Sequence, residues 1–177
     1  MILTGREIRK EMQAGRIVIR PDDDLHIGPN SVDVRLGDKL YIYNIVDYPY
    51  VGQYILDSKN VPPLRELPKY NEGWLLKPGE LYLGSTLEYT ETHGFVPYLD
   101  GRSSLGRLGV FAHVTAGRGD DGFCGHWTVE IVAARPVVIY PRERYFQITY
   151  HEIRGERDPY SGRYQGDSVA VGSRINR

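Results

Sequence analysis

Apolar and polar positions alternate strictly along Ser31-Val32-Asp33-Val34-Arg35-Leu36, which puts Val32, Val34 and Leu36 on one face of a half-buried strand. The same short-strand signature recurs down the chain. Arg16 to Arg20 is a β-branched run stopped by Pro21, and Leu40 to Ile45 is another strand. Trp74-Leu75-Leu76 leads into a Pro-Gly turn at Lys77-Pro78-Gly79-Glu80, after which Leu81 to Leu87 and Glu88 to Thr92 read as strands. Thr128 to Val132, Pro136 to Tyr140 and Tyr145 to Ile153 complete the set, the last two separated by a turn at residues 141–144. Helical spacing is confined to the start. Thr4-Gly5-Arg6-Glu7 has the form of a capping box, Ile8 and Met12 share one face, and Gly15 is a stop, which predicts a helix over residues 5–14.

Between these elements, residues 46–72 are rich in Pro, Tyr, Asp and Asn and predict an irregular excursion. Asp22, Asp23 and Asp24 read as a solvated turn. The last 25 or so residues turn polar and Gly-rich, so residues 155–177 are expected to form an arm or lid. Many short strands with regular turn signals predict a mainly β barrel or sandwich with one peripheral helix, built as a single domain over 1–177.

Composition narrows the function classes. At 177 residues the chain has length for one real core. A formal net charge of -1 supplies no global positive field, so neither nucleic acid nor an anionic membrane is an expected partner, and any anion site must be local. No apolar run approaches the roughly 20 residues of a spanning helix, and the first residues lack the apolar core of a secretory signal. One cysteine, Cys124, excludes an intrachain disulfide and suits a reducing compartment, so a cytoplasmic protein is expected.

Candidate chemistry concentrates between Tyr98 and Ile131. Arg102-Ser103-Ser104-Leu105-Gly106-Arg107 offers two guanidinium groups, two hydroxyls and a turn or helix start with free N–H groups, all of which suit phosphate; a charged surface turn is the alternative. Thr115 to Phe123 reads as a tight β-hairpin whose Gly117, Gly119 and Gly122 permit positive φ and close ligand approach; an ordinary hairpin is the alternative. Glu130 alternates with Val129 and Ile131 and so shares a partly apolar face with Thr128 and Val132. There it is either a desolvated general acid/base or a surface glutamate. The five histidines are scattered. No H-x-E with C-x-x-C is present, and one cysteine cannot supply the usual deaminase zinc set, so no zinc is expected. No P-loop motif is present either.

Taken together, Asp100-Gly101-Arg102-Ser103-Ser104-Leu105-Gly106-Arg107-Leu108-Gly109, His113-Val114-Thr115-Ala116, Asp120 with Gly122-Phe123, Gly125, and Glu130 resemble the dCTP deaminase family of the dUTPase superfamily. Pro29 to Gly37, Lys77 to Glu80, Gly84 to Glu88, and the arm motif Tyr160-Ser161-Gly162-Arg163-Tyr164-Gln165-Gly166 extend the likeness over nearly the whole chain. The resemblance implies a distorted, dUTPase-like barrel of jelly-roll type, a homotrimer with active sites shared between subunits, and deamination of dCTP to dUTP and ammonia. It also implies a place in dUMP and dTTP precursor metabolism and inhibition by dTTP. Arg102, Ser104 and Arg107 would contact the triphosphate, with Mg²⁺ held by phosphate oxygens and water. Ser103, the Ala116 carbonyl and Glu130 would position the attacking water, with Glu130 carrying its proton and Arg107 orienting Glu130. Asp120 would hold the sugar 3′-OH and serve any later hydrolysis to dUMP and pyrophosphate. Phe123 would select deoxyribose. The backbone of Val114, Thr115, Gly117 and Arg118 would read the base, and Tyr160, Arg163, Gln165 and Asp167 would close over the nucleotide.

The chain departs from the family pattern in places. Thr115-Ala116-Gly117-Arg118 combines Arg118 of the type that stops at dUTP with Gly117 of the bifunctional type. Gly119 replaces the usual Ile or Val, and Asp167 stands where Gln is common, which raises a shorter substrate such as dCMP. The competing readings are a dUTPase that only hydrolyses dUTP and a nucleotide-sensing member that has kept the pocket without turnover.

Overall fold

The computed structural model describes residues 1–45, 56–113 and 115–176. It is mainly β and curls into a nearly closed barrel. In chain order the elements are α1 (Gly5–Gln13), β1 (Ile17–Arg20), β2 (His26–Ile27), β3 (Val32–Tyr43), β4 (Leu64–Glu66), β5 (Trp74–Leu76), β6 (Tyr82–Thr86), β7 (Tyr89–Thr92) and β8 (Phe95–Gly101). They continue with α2 (Ser103–Gly106), β9 (Val110–Ala112), β10 (Cys124–Gly125), β11 (Thr128–Ala133), β12 (Val137–Ile139) and β13 (Arg144–Glu152).

The largest sheet runs β8-β13-β3-β6-β11-β9, with β2 and β4 also paired to β3. A second sheet is β1-β7-β10 and a third is β12-β5, and every described pairing is antiparallel. The most extensively paired strand of this sheet is β3. Its first half pairs with β13 and its second half with β6. The sequence pattern predicts two strands here, over 31–36 and 40–45. The chain instead makes one long strand with an irregularity between Leu36 and Leu40. Gly37 permits this: a Cβ there would lie 3.0 Å from Ser85 Oγ and 3.1 Å from its carbonyl oxygen.

The inward residues of these strands, among them Leu36, Leu40, Leu76, Leu99, Ile131 and Phe146, are at most 1% exposed and form one core with Trp74 and Tyr150. Ile8 joins them from α1 and is fully buried, a contribution of ~1.5–3 kcal/mol. The capping box is half made. Thr4 Oγ1 accepts from Glu7 N, but the Glu7 carboxylate turns to Lys10 at 2.9 Å and not back to the cap. Among charged groups, Glu88 is buried and takes both the backbone N–H of Arg35 at 2.7 Å and its Nε at 2.6 Å. That pair ties β3 to the turn before β7.

Three further expectations change. The hairpin predicted over 115–123 does not form. Its backbone bonds run to β8, with Leu99 N donating to Gly117 O at 2.7 Å and Gly119 N to Pro97 O at 2.8 Å, so the segment lies along β8 and does not fold on itself. The reason is packing: a Cβ on Gly117 would meet Leu99 O at 2.7 Å, and one on Gly119 would meet the Trp127 ring at 2.3 Å. Of the three glycines only Gly122 has positive φ. Secondly, β8 and β9 form where only turns and charges were evident, because β13 and β11 supply their partners. Thirdly, the excursion over 46–72 contains β4, paired to the end of β3; its residues 46–55 lie outside the described residues.

Candidate active site

The catalytic candidate is placed by β11. Glu130 lies opposite Leu83 of β6, and its neighbour Ile131 lies opposite Ala112 of β9. Val129 and Ile131 face the core, so Glu130 and Thr128 turn to the other side, into a pocket of about 480 Å³. The alternation that made Glu130 ambiguous in the sequence therefore resolves toward the pocket.

Immediately after β9 the chain turns through His113, whose φ of 54° is left-handed. Its backbone N–H donates to Glu130 O at 2.8 Å, and its Nδ1 lies 2.6 Å from Glu130 Oε2. His113 is 5% exposed, its Nε2 has no partner among the described residues, and its Nδ1 is the ring atom that meets the carboxylate. An edge-to-face contact with Trp127 holds the ring. Burial pushes the Glu130 carboxyl up, but the hydrogen bond and charge of His113 outweigh it, and the group sits below the ordinary glutamate value. A carboxyl depressed on folding adds stability above the unfolded pKa, and that stability is lost as pH falls through the folded pKa. The same pair sets a pH prediction. His113→Asn tolerates the left-handed backbone but removes the imidazole, leaving burial to dominate. The acid limb of the kcat/KM profile is then expected to move to higher pH than in the parent. An unmoved acid limb would show that His113 does not control Glu130.

The sequence candidates divide sharply by position. Ala116, Arg118, Asp120, Phe123, Glu130, Tyr160 and Asp167 line this one pocket. Phe123 stacks edge-on against Trp127 and Tyr160, making the apolar wall. Ser103, Ser104 and Arg107 are exposed on and just after α2, outside the pocket of their own chain. Arg102 turns inward, its guanidinium 3.0 Å from Arg144 O and 3.4 Å from Asp33. Thr115 is exposed beside the pocket loop and Gly117 is buried behind it. Val114 lies outside the described residues. Within one chain, then, the group that touches Glu130 is His113 and not Arg107.

The arm crosses the pocket without regular structure. Tyr160 N donates to Asp121 O, His126 N to Asp167 O, and Val171 N to Thr128 Oγ1. Gln165 clamps β10, accepting from Cys124 N at 3.1 Å and donating to Gly122 O at 2.8 Å. Arg163 donates to Arg174 O. The acid that looked repulsive, Asp167, is paired with Arg174 at 2.7 Å, and that guanidinium also lies over the Tyr164 ring. Asp121, next to the candidate Asp120, is a structural acid. It holds Arg157 and the Gly94 N–H, and the Arg157 hydrogen bond keeps it below the usual carboxylate range.

Sequence reasoning missed His113 as a partner of Glu130, and also His126 and Trp127 as walls of the pocket. His126 Nδ1 is 3.0 Å from Thr86 O, which turns its other face toward the pocket. His113 does stand in the motif quoted above, but its pairing depends on β9 lying beside β11, which spacing does not reveal. Among the described residues, no three His, Cys, Asp or Glu side chains of the pocket converge on one point. The group that does, Glu91, His93 and Cys124, lies elsewhere.

Comparison with known proteins joins this geometry to a family. Residues 2–153 match the family model for dCTP deaminase-like proteins. The chain belongs to the dCTP deaminase-like family. A dUMP-forming dCTP deaminase of Leptospira biflexa is 47% identical over 168 residues, spanning 94% of this chain and 91% of its own length. The dUMP-forming dCTP deaminases of Cytophaga hutchinsonii and Clostridium beijerinckii are 48% and 46% identical over 166 and 168 residues, spanning 93% and 94% of this chain and 91% and 92% of their own. The crystal structure of 2′-deoxycytidine 5′-triphosphate deaminase from Agrobacterium tumefaciens superposes with a TM-score of 0.61 at 25% identity. It covers 84% of this chain, which spans about half (47%) of that longer protein. The family model spans the Arg102–Arg107 segment, the loop before β10 and Glu130.

Proposed function

We propose that the protein deaminates the cytosine of dCTP and continues to dUMP and pyrophosphate. The observation that carries this reading is Glu130: a carboxylate bonded to His113 at 2.6 Å, with its pKa lowered, in a walled pocket that Ala116 and Asp120 also line. A carboxylate in its charged form is the base needed to take a proton from water attacking C4. Its conjugate acid can then protonate the ring and the leaving amine, so that ammonia departs. Positioned proton transfer of this kind contributes ~10²–10⁴ in rate.

The base would sit between the loop over 115–119 and Thr128, and the sugar on Phe123 with its 3′-OH at Asp120. The relatives named above as dUMP-forming favour the two-step outcome, in which Asp120 also serves attack on the phosphate chain. Pairing of Asp167 with Arg174 removes the repulsion that pointed to dCMP and favours a triphosphate.

Shared sites in a homotrimer complete the proposal. The exposed Ser103, Ser104 and Arg107 would serve the pocket of a neighbouring subunit. Beside them Phe111 and Val132, paired across β9 and β11, together with Leu108 form an exposed apolar surface suited to that contact. Mg²⁺ would travel with the triphosphate, bound by phosphate oxygens and water. The arm from residue 155 would act as the lid, and dTTP would compete as an inhibitor.

The test follows nucleotide chemistry directly. With dCTP and Mg²⁺, ³¹P and ¹H NMR are expected to show dUMP, pyrophosphate and a uracil ring signal. Accumulation of dUTP would restrict the protein to deamination. Turnover of dCMP but not dCTP would move the substrate assignment, and conversion of dUTP alone would make the protein a dUTPase.

A further inference from the structure

The outward face of the three-stranded sheet carries a group of side chains that the pocket leaves unused. Along β7, Thr90 and Thr92 are buried, so Tyr89 and Glu91 point away from the core, and His93 follows in the same alternation. Cys124 of β10 stands directly opposite Glu91 across the ladder and therefore shares its face. One ligand atom from each of Glu91, His93 and Cys124 lies within 4.8 Å of the others. We propose that these three side chains form a binding site for a thiophilic divalent cation of the zinc class, separate from the nucleotide pocket.

The donor set decides the class of ion. A thiolate, an imidazole nitrogen and a carboxylate oxygen are the ligand types that zinc takes, with water in the fourth position. Hard cations that demand all-oxygen shells are a poor match to sulfur. Charge balances as well, since thiolate and carboxylate together neutralise a dication. On binding, the Cys124 Sγ–H proton passes to solvent. The His93 Nε2, now 3.2 Å from Glu91 Oε2, binds through its lone pair with the ring proton on Nδ1.

Metal bonds of ~2.0–2.3 Å put tetrahedral ligand atoms roughly 3.5 Å apart, so the three groups must close by about 1 Å. Glu91 and His93 are 31% and 42% exposed, which leaves room for that rotation. Tyr89 Oη already donates to the other Glu91 oxygen at 3.0 Å and would orient the carboxylate. Two cations flank the group on this side: Arg16, whose carbonyl accepts from His93 N and whose guanidinium is paired with Glu11, and Arg20, opposite Tyr89 on β1 and exposed to solvent.

The site has a consequence for the arm. Cys124 N donates to Gln165 Oε1, and Cys124 O accepts from Gly166 N at 2.8 Å. An ion pinning Cys124 to β7 would therefore steady the strand on which the arm rests.

The experiment uses the reduced, chelator-treated chain of residues 1–177 without nucleotide, titrated with Co²⁺ and then Zn²⁺. One equivalent per chain is expected, with a thiolate-to-cobalt charge-transfer band in the near ultraviolet that Zn²⁺ abolishes. Cys124→Ser should lose the band, and Glu91→Gln and His93→Gln should each weaken Zn²⁺ binding about tenfold or more. Zn²⁺ should raise the Tm of the parent but not of Cys124→Ser. Absence of the band in the parent protein overturns the proposal whatever the variants do. Equal Zn²⁺ affinity across the parent and all three folded variants overturns it too. No readout depends on deamination, so the result is independent of the nucleotide assignment.

Discussion

A Glu130→Gln protein is expected to bind dCTP with near-parental affinity and to release ammonia ~10²–10⁴-fold more slowly. The amide is isosteric and can still accept from His113, so the pocket walls of Phe123, Trp127 and Thr128 stay in place. What it loses is the ability to take a proton from water and return it to the departing amine. The expected signature is a fall in kcat without a matching rise in KM, the pattern of an interaction made in the transition state. Ammonia release and isothermal titration on the same preparation separate the two quantities. Parental turnover in the variant would remove Glu130 from the chemistry and return it to the role of a half-exposed strand residue. Equal loss of binding and turnover would make it a structural partner of His113 instead.

The second large effect concerns where Arg107 acts. An Arg107→Ala protein is expected to be nearly inactive, because a guanidinium on triphosphate or carboxylate makes charge-assisted hydrogen bonds that no neighbour replaces. Mixing it with Glu130→Gln decides the geometry. In one chain α2 and the Glu130 pocket are apart, so a working site would combine Arg107 of one subunit with Glu130 of another. After unfolding and refolding a one-to-one mixture, random trimers would place intact partners together in about one quarter of sites, and activity should recover to about that fraction. Recovery requires sharing between subunits. If the mixture stays as inactive as its components, Arg107 and Glu130 serve the same chain's site, and the trimeric arrangement fails.

The strands and the helix were legible to a useful degree because their signals are local. Alternation at Val32, Val34 and Leu36, the β-branched run ending at Pro21, and the spacing of Ile8 and Met12 each act within a few residues. Failures came where the partner lies far along the chain. β8 is a strand because β13 accepts its hydrogen bonds, and Gly117 and Gly119 are glycines because Leu99 O and the Trp127 ring occupy the space of a side chain. Neither reason can be seen from residues 115–123 themselves, which is why that segment resembles a hairpin.

The candidate site shows the same division. The sequence by itself determined which residue types are present, that Glu130 alternates with apolar neighbours, and, through resemblance, the family. Tertiary structure alone decided which way Glu130 faces, that His113 bonds to it and lowers its carboxyl pKa, that Arg174 pairs with Asp167, and that Ser103 and Arg107 lie outside their own pocket. The physical reason is range. Periodicity and turn chemistry act over a few residues, whereas burial, ion pairing and carboxyl pKa depend on groups that only the barrel brings within a few ångströms.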